Sequence, residues 1–452
     1  MGRRTHHPRA TAPGPAGPAI AAVALLALLL VAGAHGSAGE RSSRASRPAR
    51  PEPPSGRPAT RWPIRHVVYI VKENRTFDQY FGLFPGADGA TRGRTRTGWR
   101  PLRRGIPDVL PHDLQHNQVA ATLAYDGGRM DGFAHDVWSR RYAYSEAVPK
   151  DIPMYWQWAK HFVLADRFFS SERGPSFPNH LFSIAASSAG TTENPKRVGL
   201  TGAQWTWGCD APAFTEVQVR GPTGAVTSTR PCFDLPTLGD RLNQKGVSWA
   251  YYAATIHEAG YIWSAYDAID HVRTSAQWSR HVRPVDRLVT DIRRGRLPAV
   301  TWVTPRFELS EHPDFSLCHG ENWTTRVVDA VMDGPMWKHT AVFITWDDWG
   351  GFYDHVPPPR VAGQDLGFRV PLLVLSPFAR AGYIDHRPSD FTAVLRFVED
   401  NWGLAPLTPR DRAQSDLAQD FDFSQHPRPP DPQPQRAHCT GPALTLPPRT
   451  QR

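Results

Sequence analysis

The chain of 452 residues is 40% hydrophobic, with 21 Phe, 16 Trp and 12 Tyr, enough apolar surface for a sizeable core, which excludes disorder over most of its length. Its formal net charge of +9 would suit anionic partners such as phosphorylated substrates or lipid head groups, yet much of the excess is an arginine-rich flank ahead of residue 66. No nucleic-acid-binding motif accompanies that charge, so no nucleic-acid partner is expected.

In chain order, residues 1–18 carry Arg and His but no acid, and residues 19–34 (AIAAVALLALLLVAGA) are apolar. This is the layout of a signal peptide, with Ala32-Gly33-Ala34 as a small-x-small cleavage site. The run is short of the roughly 20 residues of a spanning helix, and an uncleaved membrane anchor over 1–34 is the alternative. Arg3-Arg4 lacks the apolar sequel of a twin-arginine signal. The expected location is secreted or cell-surface, with the apolar segment as the route to any membrane association. Residues 35–62, rich in Arg, Pro and Ser, read as a disordered linker. A folded body is expected over 63–424, followed by a Pro-rich tail over 425–452.

Within the body, short apolar runs read as buried strands: 66–72 (HVVYIVK), 247–253 (VSWAYYA), 299–303 (AVTWV), 341–346 (AVFITW) and 370–375 (VPLLVL). Helical patterns lie between and after them at 153–161, 322–332 and 389–401, the last with a capped start at Ser389. Strands alternating with helices predict an α/β fold. Four cysteines, with no CxxC pair and no zinc-ligand spacing, suit two disulfides in an exported protein. Connectivity is not fixed by the sequence; Cys209 with Cys232 would close a short insertion loop, and Cys318 with Cys439 would tie down the tail.

In open α/β sheets ligands bind beyond the carboxyl ends of the strands. Glu73-Asn74 follow the first run, His257-Glu258 the second, Glu311-His312 the third after a loop, and Asp347-Asp348 the fourth. Two adjacent aspartates at a strand end repel one another, and burial adds to that cost; a divalent cation relieves it, with carboxylates and an amide oxygen as ligands. Gly350-Gly351 lets the backbone turn sharply beside them. Ser176, among Gly174, Pro175 and Pro178, is an exposed hydroxyl at a helix mouth, either a plain N-cap or a nucleophile activated by a metal. His112, His116 and His135 lie in a polar, Gly-rich stretch that reads as loop; an imidazole there would stabilise phosphoryl oxygens or protonate a leaving oxygen.

The ordered blocks Glu73-Asn74-Arg75-Thr76-Phe77-Asp78, Gly174-Pro175-Ser176-Phe177-Pro178-Asn179-His180, Glu311-His312-Pro313 and Trp346-Asp347-Asp348-Trp349-Gly350-Gly351-Phe352-Tyr353-Asp354-His355 resemble the bacterial phosphoesterase family, which contains phospholipases C and acid phosphatases within the alkaline-phosphatase-like superfamily. The resemblance runs from about Pro63 to Leu404. It implies a three-layer α/β sandwich with a mostly parallel central sheet, alkaline-phosphatase-like. It further implies a divalent metal (Ca, Mg, Mn or Zn) on Glu73, Asn74, Asp347 and Asp348, with Ser176 as nucleophile and His312 on the phosphoryl group. His116, His257 and Asp166 match site positions more loosely, and His355 would serve catalysis or pin its loop. Related sulfatases carry an Arg four residues after the modified residue; His180 stands there, which argues against sulfatase chemistry.

The function implied is metal-dependent hydrolysis of phosphate mono- or diesters through a phosphoseryl intermediate, on a phosphorylated small molecule or a phospholipid. A phospholipase C is one alternative; the short stretch after the body tilts the expectation slightly away from it. A catalytically degenerate surface binding protein is the alternative outside enzymes.

Overall fold

Residues 67–72 are buried to the last side chain, and their side chains point alternately to the two faces of the strand His66–Lys72 (β1), so β1 must lie inside a sheet covered on either side. The computed structural model describes residues 58–197 and 206–439; the expected signal or anchor segment and most of the expected linker lie outside the described residues. Seven strands join β1: Val163–Ala165 (β2), Trp249–Ala253 (β3), Val282–Pro284 (β4), Val300–Val303 (β5), Thr340–Trp346 (β6), Leu372–Leu375 (β7) and Tyr383–Asp385 (β8). Their order is β4-β3-β5-β1-β6-β7-β2-β8. Only β7 runs antiparallel to its neighbours. The five runs read as strands all fall in this sheet.

Among the helices are Phe77–Phe81 (α1), Gln118–Tyr125 (α2), Val137–Tyr142 (α3), Pro153–His161 (α4), Ser176–Ala185 (α5), Leu317–Met332 (α6) and Phe391–Trp402 (α7). Lys72 on β1 donates to Thr324 Oγ1 of α6 at 2.9 Å, whereas Trp302 on β5 donates from Nε1 to Ser183 O of α5 at 2.9 Å. α4 packs with α6, and α5 with α7. Helices thus cover both faces, giving the α/β three-layer sandwich with a mostly parallel sheet.

Two helix starts differ from expectation because the capping side chains lie elsewhere. α6 begins at Leu317, ahead of 322, where Ser316 accepts from His319 N. α7 is capped by Asp390, which accepts from Thr392 N, while Ser389 pairs in a short ladder with Phe168. Residues 92–146 form a cap with its own small core, in which Leu102, Ala120, Phe133 and Tyr144 pack with Trp349 and Phe368. Both disulfides, Cys209–Cys232 and Cys318–Cys439, are present. The chain leading to Cys439 lies along the body, with Arg428 Nη1 donating to His161 O and Arg436 Nη1 to Asp151 O. At the other end, Trp62 already stacks on Phe397 at 4.8 Å.

Candidate active site

β1 and β6 are parallel neighbours with Lys72 opposite Trp346, so the residues that leave them, Glu73-Asn74 and Asp347-Asp348, emerge side by side. All four are fully buried. Asn74 N donates to Asp347 Oδ1 at 2.9 Å, and Asn74 itself is left-handed (φ 63°), a conformation that Asn tolerates better than most residues. Gly350 (φ 59°) must be glycine, since an added Cβ would lie 2.4 Å from Asn74 O. A Cβ on Gly351 would lie 2.5 Å from Leu114 Cβ.

Ser176 is the first residue of α5, after a loop that Asn179 holds by accepting from Glu172 N (2.8 Å) and donating to Pro175 O (3.1 Å). Its Oγ lies 3.3 Å from Glu73 Oε2 and 3.3 Å from Asp348 Oδ2. One turn further along the same face, His180 Nε2 lies 2.9 Å from Glu73 Oε1 and 3.7 Å from Asp347 Oδ2. Glu73, His180 and Asp347 offer ligand atoms within 4.8 Å of one another.

Burial pushes Glu73 well above the usual carboxylate range, and Asp347 and Asp348 push it further. Burial, followed by Asp347, does the same to Asp348. Like charges at about 4 Å in a protein interior repel by about 4 kcal/mol. Asp347 Oδ2 is buried without a hydrogen-bond partner. With its amide oriented to satisfy every contact, Asn74 donates to Glu73 Oε2 at 3.2 Å and to Asp347 Oδ1 at 3.1 Å, and its oxygen accepts from His116 Nε2 and His312 Nε2 at 3.2 Å. An orphaned carboxylate oxygen and carboxyls raised by one another fit a divalent cation at this point.

Two histidines stand on the other side of Asn74. His116 Nε2 lies 3.2 Å from the Asn74 amide, while its Nδ1 lies 2.7 Å from Leu114 O. Burial works against its protonation, but Asp113, Asp348 and the Leu114 carbonyl outweigh it and raise the imidazole to about 9. His312 follows Glu311, another left-handed residue (φ 72°), and its Nδ1 lies 2.5 Å from Asp314 Oδ1. The Glu311 side chain is fixed from beneath by Lys72 (3.1 Å), Tyr80 (2.9 Å), Tyr155 (2.5 Å) and Trp346 (3.1 Å). Trp263 and Phe307 stack on one another at 4.6 Å and flank His312.

The structure therefore gathers Glu73, Asn74, His116, Ser176, His312, Asp347 and Asp348. His257 is not among them: it is exposed and makes no hydrogen bond or ion pair to this cluster among the described residues. A loop after a strand end reaches the site only if it folds inward, and here Thr255 and Glu258 close a local turn instead. Asp166 is drawn into a separate network, accepting from Asp88 N at 2.7 Å and meeting His386 Nδ1 at 2.8 Å. His355 pairs with Asp78 Oδ2 (2.8 Å) beside the buried Arg369, which also binds Asp354, and so pins its loop. Sequence reasoning gave no role to His180, Asp113 or Asp314. The four-residue step from Ser176 to His180 on one helix face was the available signal for the first.

The chain matches the profile of the phosphoesterase family over residues 64–405. It is 28% identical to the hemolytic phospholipase C of Pseudomonas aeruginosa, over 82% of this chain and 57% of that protein, so it spans little more than half of that relative. It is 25% identical to phospholipase C A of Mycobacterium tuberculosis, over 80% of this chain and 78% of that protein. It is also 25% identical to non-specific phospholipase C1 of Arabidopsis thaliana, over 74% of this chain and 64% of that protein. Among solved structures, a Vibrio parahaemolyticus protein of the alkaline phosphatase superfamily superposes with a TM-score of 0.37 at 12% identity, covering 81% of this chain and 72% of that one, a likeness too distant to add weight. With its family blocks brought together at the ends of two adjacent parallel strands, this chain belongs to the phosphoesterase family.

Proposed function

We propose that the protein is an exported, metal-dependent phosphoester hydrolase in which Ser176 is the nucleophile. The observation that carries this reading is the place of Ser176 Oγ, 3.3 Å from carboxylate oxygens of both Glu73 and Asp348. Glu73, Asn74, Asp347 and Asp348 would hold the cation, with His180 alongside; the oxygen-rich set suits Ca, Mg or Mn, and the imidazole admits Zn. When bound, a divalent cation there polarises a phosphoryl oxygen and lowers the pKa of the serine hydroxyl.

Ser176 attacks phosphorus in line with the leaving alcohol and passes its proton to one of the two carboxylates it faces. Asn74 and His312, the latter oriented by Asp314, hold the equatorial oxygens. His116, cationic at neutral pH, gives a proton to the leaving oxygen. Water then hydrolyses the phosphoserine and restores the hydroxyl. Two disulfides accord with an oxidising compartment and thus with export.

The substrate is a phosphate mono- or diester. Cleavage of a phospholipid head group is the second reading, favoured by relatives that bear the name phospholipase C and by the aromatic wall of Trp263 and Phe307 beside His312. Paired assays with p-nitrophenyl phosphate and p-nitrophenyl phosphorylcholine, with and without chelator, separate the two. Ser176→Ala should lower turnover by about 10³-fold or more with an unchanged circular dichroism spectrum. Full activity in that variant would remove Ser176 from the chemistry. An inert wild-type protein that still binds phosphate esters would support the degenerate binding protein.

A further inference from the structure

We propose that the cap is a docking surface for bilayers containing anionic phospholipid, with a head-group phosphate seated in a cleft between the hairpin Arg92–Thr95/Gly98–Pro101 and the segment leading into α3. The cleft has a volume of about 520 Å³ and is lined by Arg96, Trp99, Arg100, Asp131, His135 and Arg140. Its lip is apolar and open: Trp99 is 60% exposed, and Val137, which follows the cleft segment, is 70% exposed. On the adjoining helix α2, Val119 and Leu123 form a second exposed pair one turn apart. α2 abuts the cleft closely, since a Cβ on Gly132 would lie 1.8 Å from Leu123 O. An indole and aliphatic tips ringed by guanidinium groups suit the boundary between head groups and acyl chains.

The cleft has unused polar capacity. The His135 side chain is only 7% exposed, yet neither ring nitrogen makes a hydrogen bond; Asp136 Oδ2 lies 3.3 Å from Nε2, outside bonding geometry. Arg140 has no acidic partner among the described residues, nor do Arg92 and Arg141. Arg100 is held in place over the Tyr144 ring and donates to Arg140 O at 3.1 Å. The one acid in the lining, Asp131, already faces Arg94 and Arg129. The charge left over is positive, which complements an anionic head group, and the apolar lip beside it favours a bilayer as the bearer of that group.

The surface is rigidly joined to the catalytic loop. Arg94 N donates to Tyr353 Oη at 3.0 Å, and Tyr144 Oη donates to Arg94 O at 2.7 Å. Phe133, within the cleft segment, packs edge-on against Trp349 at 5.6 Å, and Trp349 follows Asp348 directly. The inference rests on the hydrolase reading only for what the docked protein would cleave.

Full-length protein is sedimented with vesicles of phosphatidylcholine alone and of phosphatidylcholine mixed with phosphatidylglycerol. Stronger binding to the mixed vesicles, weakened by salt, is expected. The pairs Trp99→Ser with Val137→Ser, and Arg96→Gln with Arg140→Gln, should each reduce that binding about tenfold or more, while hydrolysis of water-soluble p-nitrophenyl phosphorylcholine and the thermal midpoint stay unchanged. Undiminished vesicle binding in both pairs overturns the proposal. So does complete displacement by millimolar inorganic phosphate, which would mark a small-anion site. A wild-type protein that binds vesicles but cleaves nothing would sink the hydrolase reading and leave the docking surface standing.

Discussion

His116 owes its charge to Asp113, Asp348 and a backbone carbonyl acting against burial, and in the proposed mechanism that charge makes it the proton donor at neutral pH. An acid of this kind is lost as pH rises through its pKa. Turnover with a poor leaving alcohol should therefore fall on the alkaline side with a one-proton slope, its midpoint at or below about 9, because a cation on Asp348 removes part of the raising field. His116→Asn should abolish that limb and lower kcat by about 10²-fold, with little change for p-nitrophenyl esters, whose leaving group needs no proton. A limb that survives the substitution assigns the acid elsewhere. His180 sits in the opposite regime: burial lowers it to about 4 against the pull of Asp347, so it meets the acids as a neutral ring.

At the scale of elements, the site depends on how closely the turn after β6 presses on the turn after β1. Gly350→Ala would set a methyl 2.4 Å from Asn74 O in a left-handed conformation. It should cost about 2 kcal/mol or more of stability and remove activity together with metal affinity, measured by denaturant melts and titration calorimetry. Retained metal binding at lowered stability would show that the two turns are independent.

The same elements show what the sequence made legible. The apolar runs identified five of the eight strands because a sheet buried on both faces selects mostly apolar side chains, and the acids at the ends of β1 and β6 pointed to the cluster because those ends adjoin. The direction of β7 was not legible, since a doubly buried strand has the same composition either way. The cap of α7 was misplaced by one residue, and the start of α6 was set more than a turn late, since Ser and Asp side chains compete for the capping role. His257 lies outside the cluster and His180 within it for one reason: a motif gives the loop or helix, and only packing gives the direction of the side chain.

For the whole molecule, the buried acids would couple stability to the proposed cation. Without it, Glu73 and Asp348 keep folded-state pKa values raised well above those of the unfolded chain. Their contribution is most favourable below the unfolded carboxylate range, about 4, and is lost as pH rises towards the folded values. His116, raised to about 9, acts in the same sense between its unfolded value and 9. The gap in melting temperature between metal-loaded and chelated protein should widen from pH 5 to pH 8, read by calorimetry. A gap that narrows over that range would mean the acids are not the ligands.

Asn74 and Asp347 are separated by 273 positions in the chain, yet they share a hydrogen bond because β1 and β6 are neighbours. Neither strand end by itself brings the proposed ligands together. If the chain crosses a membrane unfolded, as the proposed export requires, it would arrive without the proposed ion, and its choice of metal would then be made by the ions abundant in the medium where the sheet finally closes.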